Sequence, residues 1–208
     1  MKNTCISLIV VACAAVILSS ALVPARAQTP AADGPQFTAA GQLVRPLDYR
    51  EWVFVTSGLG MTYGPAQPAA GRPPLFDNVF VTRASYREFL KTGAWPDKTM
   101  FILEIRSGDE NVSINNGGRT QGAMRFMEAA VKDVTRFPNG GWGYFSFDSP
   151  NGLVDAAAPL PATASCYACH KNNTAVENTF VQFYPTLMDV ARKMGTVKPT
   201  YDPNKKPQ

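Results

Sequence analysis

Hydrophobic positions in this chain alternate over short runs more often than they recur at helical spacing. The stretches EWVFVTS (51–57), NVFVT (78–82), TMFILEIRS (99–107) and WGYFSFD (142–148) are rich in β-branched and aromatic residues and are parted by turn residues, the pattern of strands in an antiparallel sheet. They predict at least four strands. ASYREFLKTG (84–93) predicts a short helix, because Tyr86, Phe89 and Leu90 share one face and Gly93 supplies a stop. Near the end, NTFVQFYPTLMDVARKMG sets Phe180, Phe183, Leu187, Val190 and Met194 at helical spacing before Gly195, which predicts a helix packed on the core. RTQGAMRFMEAAVKDVTRF (119–137) is ambiguous: its propensities favour helix, while Thr120, Gly122 and the run 131–135 permit a bent strand.

The first thirty residues are of another kind. A lone Lys2, an apolar run from about Ile6 to Val23 and the small-x-small pattern Ala25-Arg26-Ala27 before Gln28 predict a cleavable secretory signal over 1–27. Pro24 and the Ala-x-Ala site favour cleavage over a retained anchor, and the apolar run continuing past Cys13 argues against a lipoprotein site there. Export would take Cys5 and Cys13 away, leaving Cys166 and Cys169 as the mature chain's thiols. Lys2 and Arg26 leave as well, so the formal charge falls from +4 to +2, too small for a nucleic-acid surface, and no stable membrane association is expected after cleavage. About 180 residues remain, enough for one domain with a core. That domain is expected over 28–197, with GPAQPAAGRPP (64–74) as a surface loop and 198–208 as a flexible tail.

The chemistry concentrates in ATASCYACHKNN, where the chain's single histidine, His170, follows Cys166-x-x-Cys169. Two thiols at i and i+3 can add to the two vinyl groups of one haem, and the next residue's imidazole then reaches the iron from the same side. Zinc would need a fourth ligand from a carboxylate or water, an unusual structural site. A thioredoxin-like disulfide would need the pair to open a helix after an early strand of a βαβ unit, and no such unit precedes it. The spacing favours one covalently attached haem c, with Cys166 and Cys169 as the attachment points and His170 as the iron ligand; a plain disulfide is the alternative. No second histidine exists to fill the sixth position. Six methionines survive cleavage, but the two that follow His170, Met188 and Met194, fall in the helical stretch, so an open sixth site is favoured over a Met/His electron carrier.

The order of DYREWVFV, NVFVTRASYREFLKTGAWPDKTMFILEIR, AAVKDVTRF, an aromatic strand, LPATASCYACHKNN and FVQFYPTL resembles the cytochrome P460 family, which includes cytochrome c′-beta, over roughly residues 48–191. The resemblance implies an α+β fold, a predominantly antiparallel β-sheet with a few short helices, carried by a periplasmic homodimer with one covalently bound haem per subunit and an open distal side. It also implies that 119–137 is strand. In hydroxylamine-oxidising members a lysine in the strand after the K-T-G turn cross-links to the haem; here Leu103 stands at that position, which places the chain in the branch without the cross-link. Lys98 lies five residues away and reads as a solvated charge in the turn.

Strand alternation puts Thr99, Phe101, Leu103 and Ile105 on one face, the expected haem-facing wall, and Met100, Ile102, Glu104 and Arg106 on the other. Phe54 and Phe80, on neighbouring strands, are further candidates for a distal cap. Arg50, Arg106 and Arg125 are candidates for charges near the haem. These residues together describe a ligand binder for NO and CO, since an apolar wall offers little hydrogen bonding to a polar iron–dioxygen unit. The competing classes are a hydroxylamine or NO oxidoreductase or weak peroxidase, marked by an acid–base or nucleophilic group over the iron, and an electron carrier, marked by a methionine ligand.

Overall fold

The protein is described by a computed structural model over residues 34–62 and 73–205. The expected signal segment and most of the loop expected at 64–74 lie outside the described residues. Among the described residues no helix is long and apolar enough to cross a membrane. In chain order the elements are β1 (Leu43–Val44), β2 (Val53–Leu59), β3 (Leu75–Val81), α1 (Arg83–Thr92), β4 (Met100–Asp109), β5 (Thr120–Lys132), β6 (Trp142–Ser146), β7 (Asp148–Ser149), β8 (Gly152–Leu153), β9 (Ala156–Ala157), α2 (Ser165–Asn173) and α3 (Pro185–Met194).

Strands β2 to β6 form one antiparallel sheet in which spatial order equals chain order. Residues 119–137, ambiguous by periodicity, contain the longest strand. The reason is tertiary: β5 is hydrogen-bonded on both sides, to β4 and β6, and it buries Met127, Ala129 and Val131 in alternation, so its helical propensities yield to two ladders.

The sheet is covered on both faces, and this decides where a site can form. Register carries two side-chain rows across one face: Val79–Leu103–Glu128–Ser146 and Val81–Phe101–Ala130–Tyr144. Over the second row pack Phe89 of α1, Leu187, Met188 and Ala191 of α3, and Val176 and Val181 from the stretch between α2 and α3. On the opposite face Phe80, Met100, Ile102, Met127, Val131 and Phe145 meet the N-terminal stretch through Leu43 and Tyr49 and the β7–β9 region through Phe147 and Ala157; β1 pairs with β9 there.

Helix α1 ends as its sequence predicts, with Gly93 left-handed at φ 70° and its N–H bonded to the Phe89 carbonyl. Glycine is required twice over, since a Cβ at Gly93 would lie 2.8 Å from the Met194 Cβ. The last helix is shorter than the apolar stripe predicts. Pro185 occupies its first turn, and the residue before a proline avoids helical geometry, so Tyr184 leaves the helical region at φ −112°, ψ 86° and Val181–Phe183 forms a separate 3₁₀ turn. Phe180 thereby leaves the stripe for another task. In the described part of the expected tail, the Lys198 N–H donates to the Ala175 carbonyl at 2.8 Å, Tyr201 packs on the core, and the Lys205 Nζ donates to the Asn172 carbonyl at 3.4 Å.

Candidate functional site

Helix α2 carries the chemistry on a surface with no apolar stripe, and none of its residues is fully buried. Cys166, Cys169 and His170 stand at i, i+3 and i+4, the spacing that shares one helical face. Both thiols are free and half-buried. What holds the helix against the sheet is specific contact rather than oil: Tyr167 meets Tyr144 edge-on at 4.8 Å and donates to the Leu160 carbonyl at 3.2 Å. Thr174 Oγ1 donates to the His170 carbonyl, and Lys198 Nζ donates to Thr174 Oγ1 at 2.8 Å and to the Lys171 carbonyl at 3.0 Å, a cation at the helix C-terminus where the dipole favours one.

His170 is clamped. Its Nδ1 lies 2.7 Å from the Asn178 carbonyl, and its ring sits 4.5 Å from that of Tyr144 and 4.7 Å from that of Phe180. A carbonyl only accepts, so Nδ1 carries the proton and Nε2 is left with its lone pair, the state of an imidazole ready to bind a metal. Burial holds the pKa of His170 below its ordinary value, with Lys198 adding to the effect against the hydrogen bond to Asn178. The ring is neutral where it needs to be.

Across from it lies a cavity of about 90 Å³ whose walls include Val79, Phe101, Leu103 and Glu128 from the sheet, with Cys166 and His170 opposite. Phe101 and Leu103 are therefore brought to the same cavity as the helix motif. Phe54 and Phe80 are not: Phe80 packs under the sheet against Tyr49 at 5.4 Å and Phe54 at 5.6 Å, and Phe54 is 53% exposed, so neither caps this cavity. Arg50 and Arg106 are on that far side too, ion-paired to Glu104, and Arg125 is exposed. Lys98 turns away to Asp133 at 2.6 Å. Among the residues lining the cavity there is no lysine, methionine or second imidazole.

The wall is less apolar than the alternation of β4 alone implies. Glu128, opposite Leu103 in register, has its carboxyl pushed up by burial, then by the nearby charges of Asp148 and Asp77. Tyr144 is buried and its hydroxyl has no partner. Neither stood out in the sequence. Glu128 becomes visible as a cavity residue only once 119–137 is read as strand, and Tyr144 only once the Trp142–Tyr144–Ser146 side of β6 is assigned to the helix-covered face. A larger, open depression of about 420 Å³ beside Lys132 and Glu177 holds no thiol or imidazole, so donor chemistry and not size picks out the site.

The donor set fits a haem: Cys166 and a neutral His170 line the cavity together with an orphaned hydroxyl, and the second thiol, Cys169, stands on the same helix. The cytochrome P460 family model matches residues 46–181. The chain belongs to the cytochrome P460 family. Membership implies a haem-binding cytochrome, and in this one His170, Cys166 and Cys169 are the residues that would hold the group. No curated protein matches the chain.

Asp77 lies on the cavity side of β3, and burial raises its carboxyl to about 6. A carboxyl raised in the folded state stabilises the fold below its unfolded pKa, and that contribution disappears as pH rises through the folded value. Asp77→Asn should therefore match wild type near pH 4 and exceed it by about 1–3 kcal/mol near pH 8. Urea denaturation at the two pH values checks this; equal gains at both would show that the charge is not what matters.

Proposed function

We propose that this cytochrome is an exported, mono-haem c-type protein that binds NO and CO at a five-coordinate iron, serving in NO binding, detoxification or sensing, and working as a homodimer in the periplasm. The observation that carries the reading is the setting of His170: a single neutral imidazole, its Nδ1 fixed to Asn178, facing a cavity whose lining holds no lysine, methionine or second imidazole. Haem bound here supplies an iron centre with one side left for a small molecule. The chain's own part is attachment, orientation and exclusion of water. Cys166 and Cys169 would hold the haem by thioethers, each S–H adding across one vinyl C=C to give a C–S and a C–H bond with no net transfer of electrons. Burial, then the charge of Glu128, holds the Cys166 thiol above its ordinary pKa. Phe101, Leu103 and Val79 keep the sheet side dry, and Asn178 fixes the imidazole's tautomer. Leu103 offers no amine to a porphyrin edge, which supports the branch without a lysine cross-link.

One observation favours a second reading, an oxidoreductase acting on hydroxylamine or NO. Glu128 places an acid–base group in the sheet-side wall, and a carboxyl held protonated by burial can give and take a proton there. Purified protein from cells competent in c-type maturation separates the two. Intact mass should show a chain beginning at Gln28 with one haem on two thioethers, and the ferrous spectrum should be that of an ordinary high-spin haem c, without the red shift of a cross-linked ring, changing on CO or NO addition. A mass without haem returns the disulfide alternative, a low-spin spectrum in both oxidation states returns the electron carrier, and turnover of hydroxylamine establishes the enzyme.

A further inference from the structure

We infer that Glu177 is a positioning residue for the iron ligand: with Lys132 it clamps the turn whose carbonyl holds His170, and so sets how strongly the imidazole binds. This rests on the assignment of His170 to the iron above. Residues 176–179 form a turn closed by the Thr179 N–H, which donates to the Val176 carbonyl at 2.9 Å. Asn178, the third residue of the turn, presents its carbonyl 2.7 Å from His170 Nδ1. Glu177, the second, has φ 48°, the left-handed region in which a turn corner ordinarily carries glycine or asparagine. A glutamate there is strained, and such residues persist where their surroundings hold them in place.

The carboxylate supplies that hold. Its Oε1 accepts from the Trp95 backbone N–H at 3.1 Å, and its Oε2 meets Lys132 Nζ at 2.8 Å. Lys132 Nζ donates in turn to the Trp95 carbonyl at 2.6 Å, and the Trp95 ring N–H donates to Thr179 Oγ1 at the far end of the turn at 2.8 Å. Both anchors are fixed. Lys132 ends β5, pairs with Trp142 and donates its N–H to the Thr99 carbonyl at 2.8 Å; Trp95 is buried against Phe89 and Phe101. The ion pair is only 18% and 26% exposed, too enclosed for a loose surface bridge. Glycine would make the same bend without strain and none of these side-chain contacts, so what glutamate adds is the orientation of the turn. The turn is tied to the sheet side of the molecule, and the Asn178 carbonyl stays aimed at Nδ1. A firmly held acceptor there raises the basicity of the imidazole, which strengthens its bond to iron and favours the ferric state.

The ferrous holoprotein reads this through its iron–histidine stretching band. Glu177→Gly and Lys132→Met each release the clamp, and in both the band should move to lower frequency and broaden. The reduction potential should rise in both, by about fivefold in the ferric–ferrous equilibrium, the factor for a net hydrogen bond of about 1 kcal/mol, or about 40 mV for one electron. The sign separates positioning from charge. Glu177→Gly removes a negative charge and Lys132→Met a positive one, so electrostatics alone would move the two potentials in opposite directions, whereas positioning moves both upward. A band that keeps its wild-type frequency in a haem-bearing variant, or a potential that falls in Lys132→Met, overturns the inference. Should Glu177→Gly take up no haem, Lys132→Met is the test; failure of both to take it up makes the clamp a folding element and overturns the inference too. Ferrous wild type without an iron–histidine band is a different failure, that of the open-iron reading, and the two potentials then decide. A His170→Gly spectrum equal to that of wild type removes the ligand assignment itself, and the inference falls with it.

Discussion

Replacing His170 by glycine should abolish the native iron coordination while leaving the protein attached to its haem. His170 is the chain's single histidine, so no other imidazole can move into its place, and the two thiols that would form thioethers are separate groups on the same helix. The deletion also opens a slot between the rings of Tyr144 and Phe180, each less than 5 Å from the imidazole in the wild type, beside an Asn178 carbonyl left without its donor. Added imidazole has both a shape and a hydrogen bond waiting for it. The ferrous spectrum of His170→Gly should therefore lose the wild-type bands and recover them in a saturable way with imidazole. The helix cost of glycine, about 1 kcal/mol, is too small to unfold the domain. A variant whose spectrum matches wild type without imidazole would remove His170 from the iron.

The motif was legible because its meaning is local: two thiols and an imidazole at i, i+3 and i+4 share a helical face whatever surrounds them. The strands at 53–59, 75–81, 100–109 and 142–146 were legible for a similar reason, and α1 matches its prediction to within a residue at each end. What alternation cannot tell is which face of a sheet receives the helices. Phe54 and Phe80 read as further candidates beside Phe101 for that reason. The pairing places Phe80 beside Ile102, one residue along β4 from Phe101, and so on the far face, while a register shift between Phe54 and Thr56 changes the phase of β2 partway along.

Other features were hidden by a missing signal. The sequence of α2, SCYACHKNN, has no apolar stripe, because the residues it turns inward are the ones that carry the chemistry. Phe180 sits at helical spacing with Leu187 but is cut from that helix by Pro185, and its ring faces His170 instead. Glu128 and Tyr144 needed register between β4, β5 and β6, which is a property of the folded sheet. The tail's polar composition gave no hint that Lys198 would bond both Thr174 and the Lys171 carbonyl at the end of α2.

The largest stability loss should come from the far face of the sheet, at Glu104. This carboxylate is fully buried and accepts from the Tyr49 hydroxyl, from Arg50 at 2.7 and 2.8 Å and from Asn78 at 3.0 Å, with Arg106 3.6 Å away. It joins the N-terminal stretch around Tyr49 to β3 and β4. Burial alone would raise its pKa; the hydrogen bonds from Tyr49 and Asn78 and the two guanidiniums outweigh that and hold it below its ordinary value. Removing the carboxylate leaves Tyr49 dry without its acceptor and Asn78 with Gln121 alone to accept from its amide at 2.7 Å, whereas Arg50, more than half exposed, rehydrates cheaply. Glu104→Ala should lose about 3–5 kcal/mol, the usual cost of breaking a buried charged network, and Glu104→Gln less, since the amide oxygen can still accept from Tyr49. A carboxyl with a depressed folded pKa stabilises above its unfolded value, near 4.5, and that contribution is lost as pH falls through the folded pKa. The gap between wild type and Glu104→Gln should therefore be widest near neutral pH and narrow in acid, as urea unfolding at pH 7 and pH 3 would measure. A gap that is the same at both, or a Glu104→Ala loss below about 1 kcal/mol, would mean that the cluster only occupies space and that packing of Leu43, Tyr49 and Phe80 alone holds the N-terminal stretch to the sheet.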